Sequence, residues 1–232
     1  MLACFLAATR LPVSHVHIGQ SFGHGLRQFL SDRRWLLFLA TILIGAVGLS
    51  TVHGFLFLYM KDLGASRSLM GVALAVATLS ELVVFFYSGR LLERWGTRAI
   101  LVASLIAHIV RLVGYSVVRS PELVLVVQLL HGPTFSLIWV AGVSYANQAA
   151  PRGLGATAQG LLTAIYFGLG STAGGLVGGY LYDHLGPFRM FFWAGICVLG
   201  GLILFVALGS STDRVDQPAE SRPDPDVTGS PI

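Results

Sequence analysis

Apolar positions run along this chain in long blocks, and polar positions gather in the short gaps between them. Six blocks are long enough to cross a bilayer as helices, which takes about 20 residues: 35–59, 69–88, 99–118, 123–146, 155–182 and 190–208. The gaps are too short to hold a soluble domain, so neighbouring helices must run antiparallel and pack closely. The pattern predicts an all-α polytopic membrane protein with one six-helix transmembrane domain over residues 35–209. Residues 210–232 are polar and rich in Pro, Asp and Ser, and are expected to form a disordered cytoplasmic tail. The apolar part of the opening "MLACFLAATRLP" is too short to span. It has little positive charge ahead of it and no clear cleavage site of a secretory signal. It reads as the last turns of a preceding helix whose beginning is missing, with the rest of residues 1–34 a cytoplasmic linker.

Composition strengthens the membrane reading. Only 11% of the 232 residues are charged, 54% are hydrophobic, and the mean hydropathy is +0.74. A soluble domain carries roughly a quarter charged residues, so this chain is one solvated by lipid. The net charge is +4, but the basic residues stand singly at the ends of apolar blocks and form no patch for nucleic acid. They read as topology signals. With the N-terminus inside, Arg27, Arg33, Arg34, Arg90, Arg94, Arg98, Arg152 and Arg214 lie on the inner side. Lys61, Arg67, Arg119 and Arg189 lie on the outer side. That bias puts both termini in the cytoplasm, and the expected location is the plasma membrane. Cys4 and Cys197 lie far apart in apolar blocks and make neither a disulfide framework nor a metal motif. No cofactor or metal is expected.

Two stretches repeat. "GRLLERWGTR" (89–98) and "GYLYDHLGPFR" (179–189) share Gly, Leu, an acid, a base or His, an apolar residue, Gly and then Arg. Each closes the middle helix of a three-helix unit, and the two copies emerge on opposite membrane faces. Two inverted three-helix repeats are a common plan in secondary transporters. As bare turn signals, the same residues would also end helices.

"GRLLERWGTR" resembles the signature loop of the major facilitator superfamily, in the copy that joins the eighth and ninth helices. The resemblance implies a gating loop of Gly89, Glu93, Arg94, Gly96 and Arg98, whose charges lock neighbouring helices in one conformation and release them in the other. Thr97 stands where the strongest versions carry a second base. "VVQLLHGPTFSLIWVAGVSYANQAAP" and "AQGLLTAIYFGLGSTAGGLVGGYLYDHLG" resemble the lactose-permease-related branch, which includes phenylpropionate- and nucleoside-permease-like carriers. The resemblance covers about residues 27–209 and corresponds to the C-terminal six helices of a twelve-helix fold. It implies a carrier of a small organic solute working by alternating access. Its partner would be a matching N-terminal six-helix half or a second copy.

Charged groups stand inside the apolar blocks. Glu81 lies nine residues from Arg90 at the inner end of its helix, about 14 Å up at 1.5 Å per residue. Arg111 is thirteen residues from Arg98, about 20 Å up, with His108 one turn lower on the same face. His131, ten residues from Pro121, lies about 15 Å from the outer surface. The four converge near mid-membrane, where a lone charge costs roughly 2.5–3.5 kcal/mol on insertion scales. Each must therefore face the interior and find a partner. Arg111 is the expected counter-ion of Glu81, either as a static brace or as the partner of a carboxylate that titrates as the helices move. The resemblance matches Glu81, Arg111 and His131 to a glutamate, an arginine and a histidine on the equivalent helices of lactose-permease-like carriers. These imply a proton and substrate pathway. The second carboxylate expected one turn after the histidine is Thr134 here, so either Glu81 carries the proton alone or the carrier is uncoupled. His108 is either an extra relay or a packing residue, and His53 has a weaker claim.

Pro133, beside Gly132, interrupts the fourth helix and frees a carbonyl that a neighbour or water must satisfy. Gly170, Gly174 and Gly178 have the small-xxx-small spacing of close helix contact and predict a packing or sliding face. Trp139, Tyr145 and Tyr166 either stack on a ligand or simply pack. The chain lacks the paired membrane aspartates of an intramembrane protease and any serine–histidine motif, so no enzyme activity is expected. The competing reading is a non-transporting half-unit that dimerises or binds a membrane partner.

Overall fold

The computed structural model describes Arg27, residues 31–151 and residues 153–213. Most of the expected linker and nearly all of the tail lie outside these residues. Among the described residues the chain is entirely helical. In order, α1 is Arg33–Asp62, α2 Arg67–Val117, α3 Pro121–Gln128, α4 His131–Ala149 and α5 Gly155–Thr163; a π-helical segment Ala164–Gly170 then leads into α6, Ser171–Asp213. Among the described residues, four stretches are long and apolar enough to cross a membrane: α1, α2, α3 with α4 (Pro121–Ala149), and the run Gly155–Leu208.

Two of these four contain a backbone break. In α2, Gly96 takes φ 73°, ψ 163°, and in α6, Gly186 takes φ 78°, ψ 169°. These are the closing glycines of the two repeat copies, and both sit in a backbone region essentially reserved for glycine. A Cβ would meet nothing within 4 Å at either position, so the requirement is conformational and not steric. An unbroken α2 of 51 residues would be about 77 Å long, more than twice the bilayer core. Its two limbs also differ in surroundings. Before Gly96 only Ala73 and Ala77 are buried, whereas after it Leu101, Leu105, His108, Arg111, Leu112 and Tyr115 all are.

α1 is the centre of the fold. In its most apolar stretch 61% of the residues are buried, against 11% in α2. The glycine series explains how α6 comes so close to it. A Cβ on Gly170 would lie 2.4 Å from Cβ of Ala46, one on Gly174 2.5 Å from Cβ of Ser50, and one on Gly178 2.8 Å from the Phe55 ring. The Ser50 hydroxyl donates across this contact to the Ser171 carbonyl at 3.0 Å. At one end of the bundle the Tyr59 hydroxyl reaches the carbonyls of Tyr115 and Val118 at 3.0 and 2.9 Å, satisfying acceptors that the end of α2 leaves over. On α2, Leu79, Leu82, Val83 and Phe86 are each more than half exposed. A soluble monomer would not leave so continuous an apolar surface uncovered, whereas lipid solvates it.

Candidate functional site

The polar core is built where α3 gives way to α4. Pro133 has no N–H to offer the Leu129 carbonyl four residues back. That carbonyl accepts instead from the Ser80 hydroxyl of α2. The same hydroxyl oxygen accepts the Gly132 N–H at 3.1 Å, so one serine closes both sides of the break. The contact demands glycine, because a Cβ at 132 would lie 2.3 Å from the Ser80 carbonyl oxygen. One turn on, Ser136 donates to the Glu81 carbonyl at 3.3 Å. The break therefore fixes residues 80 and 81 against the start of α4.

This juxtaposition puts the Glu81 carboxylate 3.6 Å from Nε2 of His131. The pair is partly open: the glutamate side chain is 27% accessible and the histidine 11%. Nδ1 of His131 is buried without a partner. The His53 ring of α1 lies 5.5 Å away, tilted by 45°, and the Phe135 ring stacks on His131 at 5.9 Å.

Arg111 is not the partner of Glu81, contrary to expectation. Its Nε donates to the Tyr115 hydroxyl at 3.2 Å, Nη1 to Thr134 at 3.0 Å and Nη2 to Gln128 at 2.8 Å. The Tyr115 hydroxyl donates to the same Gln128 oxygen at 2.7 Å, and the Gln128 amide donates to the Ala73 carbonyl at 3.3 Å. Thr134, in the position of the missing carboxylate, passes its own proton to the His131 carbonyl at 2.9 Å. Arg111, Tyr115, Gln128 and Thr134 are all buried to within 1%. The physical reason for the correction is that α3 and α4 surround the guanidinium with neutral oxygens before it can reach the carboxylate. Depth along a helix says how far up a side chain sits, not which way it turns.

His108 is also buried, with Nε2 unpartnered. It lies against α1, where a Cβ on Gly48 would come within 3.2 Å of its ring. The structure thus brings Glu81 and His131 together, links Arg111 to the His131 backbone by two hydrogen bonds through Thr134, and leaves His108 behind Arg111 against α1. Tyr115, Gln128 and Ser80 carry the site without having been singled out, and His53 stands closer to it than expected. Gln128 was the most findable, since an amide deep in an apolar block must be hydrogen-bonded.

The loop residues behave differently. Gly89, Glu93, Arg94 and Arg98 are exposed, and neither Glu93 nor Arg94 has an ion-pair partner among the described residues. Thr97 ties the loop to α4, 3.4 Å from the Ser144 hydroxyl and accepting from Gln148 at 3.3 Å.

Beside the Glu81–His131 pair runs an aromatic wall. The Tyr166 ring of the π-helical segment lies 5.7 Å from Trp139, 6.3 Å from Phe135 and 4.9 Å from Phe167. Its hydroxyl is buried and unpartnered. Tyr166, Phe167, His53 and Ser50 line an open cleft of about 330 Å³ between α1 and this segment. The size falls in the range of small-molecule sites.

A family model described as the MFS_1 like family matches residues 8–193. The chain is similar to major facilitator superfamily domain-containing protein 6-like protein B of Xenopus laevis, 28% identical over 213 residues that cover 89% of this chain and 34% of that protein. It is 29% identical to the maltose permease of Geobacillus stearothermophilus, covering 90% of this chain and 53% of the permease. With the probable 3-phenylpropionic acid transporter of Escherichia coli (strain K12) it shares 27% identity, over 64% of this chain and 39% of that protein. The chain spans about a third to a half of the length of these relatives.

Proposed function

The chain belongs to the MFS_1 like family of the major facilitator superfamily, and on that premise we propose that it is one half of a secondary transporter that couples a small organic solute to protons. Membership and the apolar helices make it a multi-pass membrane protein with transporter relatives. The finer reading treats the limbs on either side of Gly96 and Gly186 as separate spans, giving six helices in two inverted triplets. The matching backbone conformation of the two glycines supports it. A further six-helix unit, in the same polypeptide or a second copy, supplies the facing wall of the cavity. The Lys and Arg bias favours cytoplasmic termini in a plasma membrane.

One observation carries the proton-coupled reading: a partly accessible carboxylate held 3.6 Å from a histidine inside an apolar bundle. The two groups share one proton. Rocking of the two halves changes their separation and their access to water, so the proton is taken up on one side and released on the other. Arg111, held at each of its three nitrogens by a neutral partner, stays still and keeps a fixed positive charge beside the moving one. Exposure of Glu93 and Arg94 on the loop is compatible with a lock that closes only in the opposite conformation.

The test uses cells that express the chain and contain a pH-sensitive dye. Maltose, uridine and phenylpropanol are offered in turn under an inward proton gradient. Uptake of at least one with internal acidification is expected, and Glu81→Gln should abolish the gradient dependence while leaving solute exchange. Gradient-driven uptake that persists in Glu81→Gln removes Glu81 from the proton pathway. Absence of uptake for all three, both with the chain alone and with the N-terminal six-helix half of a relative such as the maltose permease expressed beside it, overturns the transporter reading.

A further inference from the structure

Two opposite charges lie near the cleft, and their accessibility differs sharply. The Arg111 guanidinium is 1% exposed and already donates to Gln128, Thr134 and Tyr115. A solute carboxylate has no route to it without dismantling that network. The Glu81 carboxylate is 27% accessible, so of the two charges the negative one is the one open to a solute. Resting on the transporter reading, we infer that this half of the cavity takes a ring-bearing solute with an uncharged or cationic polar head and turns carboxylates away.

The ring requirement comes from the wall. Phe135, Trp139, Tyr166 and Phe167 pack edge to face or tilted at 4.9–6.3 Å; of these Tyr166 and Phe167 line the cleft, and Phe167 is half exposed. Such faces accept another ring in the same geometry and attract a cation over them. Two of the four belong to a π-helical segment, a distortion that recurs at functional sites.

The polar head comes from two unfilled atoms. Buried polar groups are nearly always hydrogen-bonded, yet the Tyr166 hydroxyl and Nδ1 of His131 have no partner among the described residues. Phe135 bridges them, stacked on His131 and in contact with Tyr166. A hydroxyl or an ammonium satisfies either atom or Glu81 itself. A carboxylate placed there would face Glu81 across a poorly screened gap, and like charges repel strongly in such surroundings.

Three probes of one carbon skeleton separate the head groups: phenylpropylamine, phenylpropanol and phenylpropanoate. Binding is read at neutral pH in the purified chain from intrinsic fluorescence, with Trp139→Phe identifying the signal of that residue. The amine and the alcohol are expected to bind, and the carboxylate at least about ten-fold more weakly. Glu81→Gln should shrink that gap and remove any advantage of the amine over the alcohol. Phe167→Ala, at an exposed position, should weaken the amine and the alcohol alike. Carboxylate binding as tight as the alcohol's overturns the inference, as does failure of all three to bind. Either result is distinct from loss of the transporter reading, which rests on gradient-driven uptake and not on which head group binds.

Discussion

The Arg111 cluster and the Glu81–His131 pair meet α4 within one turn of each other, at Thr134 and His131, and are built in opposite ways. Around Arg111 each guanidinium nitrogen has an acceptor, the network's distances run from 2.7 to 3.3 Å, and solvent is shut out. Around Glu81 the one charged contact is 3.6 Å long, the carboxylate is partly accessible and the histidine keeps an unfilled nitrogen. A fully satisfied buried network rigidifies its surroundings, and an incompletely satisfied one has alternatives open to it. The arginine is therefore architecture with a charge in it, and the glutamate is the group with freedom to change state. Thr134 joins the two. By accepting from Arg111 and donating to the backbone of His131, it holds the start of α4 without adding a second negative charge.

The largest effect should come from emptying the sealed cluster. Arg111→Ala removes three hydrogen bonds and leaves a cavity that α3, α4 and both limbs of α2 enclose. Losses for large buried side chains run to about 3–5 kcal/mol. Reversible unfolding in mixed micelles, followed by far-ultraviolet circular dichroism, gives the number. Arg111→Lys keeps the charge but not the planar fork, and should fall between the two. An alanine variant as stable as the parent would mean that the network braces nothing.

Next in size is the helix crossing that aligns the pair. Gly132→Ala sets a methyl group 2.3 Å from a backbone oxygen and 2.6 Å from the carbonyl carbon of Ser80. Neither atom can swing aside as a side chain would, so α2 and α4 must part. Overpacking of this kind costs about 1–3 kcal/mol, and the gap between Glu81 and His131 should widen with it. The same unfolding titration reads the first quantity. A pair of spin labels on α2 and α4 reads the second. Unchanged separation would show that Ser80 and Gly132 do not set the register.

These two effects also mark what was legible in the sequence. Long apolar blocks, the repeated loop and the buried charges all follow from composition and spacing, because lipid punishes any polar residue that lacks a reason. Pro133 announced that a carbonyl would need a partner, and Ser80 supplies it. The partner of Arg111 was not legible. Counting residues along a helix gives height, whereas pairing depends on rotation about the axis and on the shift that the α3–α4 junction introduces. Trp139 and Tyr166 were legible as aromatics that stack or pack, whereas the exposed Phe167 beside them on the π-helical segment was hidden for a similar reason. One extra residue per turn changes which side chains share a face, and "AIYFGLG" carries no strong local sign of it.

The smallest expected change in stability sharpens the comparison most. Glu81→Gln keeps nearly the same shape, removes a partly accessible charge and gives up one long contact to His131. Contacts of that kind are worth about 0–1 kcal/mol, so the unfolding titration should move by no more than that. Coupled uptake, by contrast, should lose its dependence on the proton gradient. Set against Arg111→Ala, the pair of variants separates fold from function: one destabilises heavily, the other hardly at all. If Glu81→Gln destabilised the protein as much as Arg111→Ala, the carboxylate would be a brace like the arginine. The freedom assigned to it would then have to lie elsewhere, with His53 and its tilted contact to His131 the next group to examine.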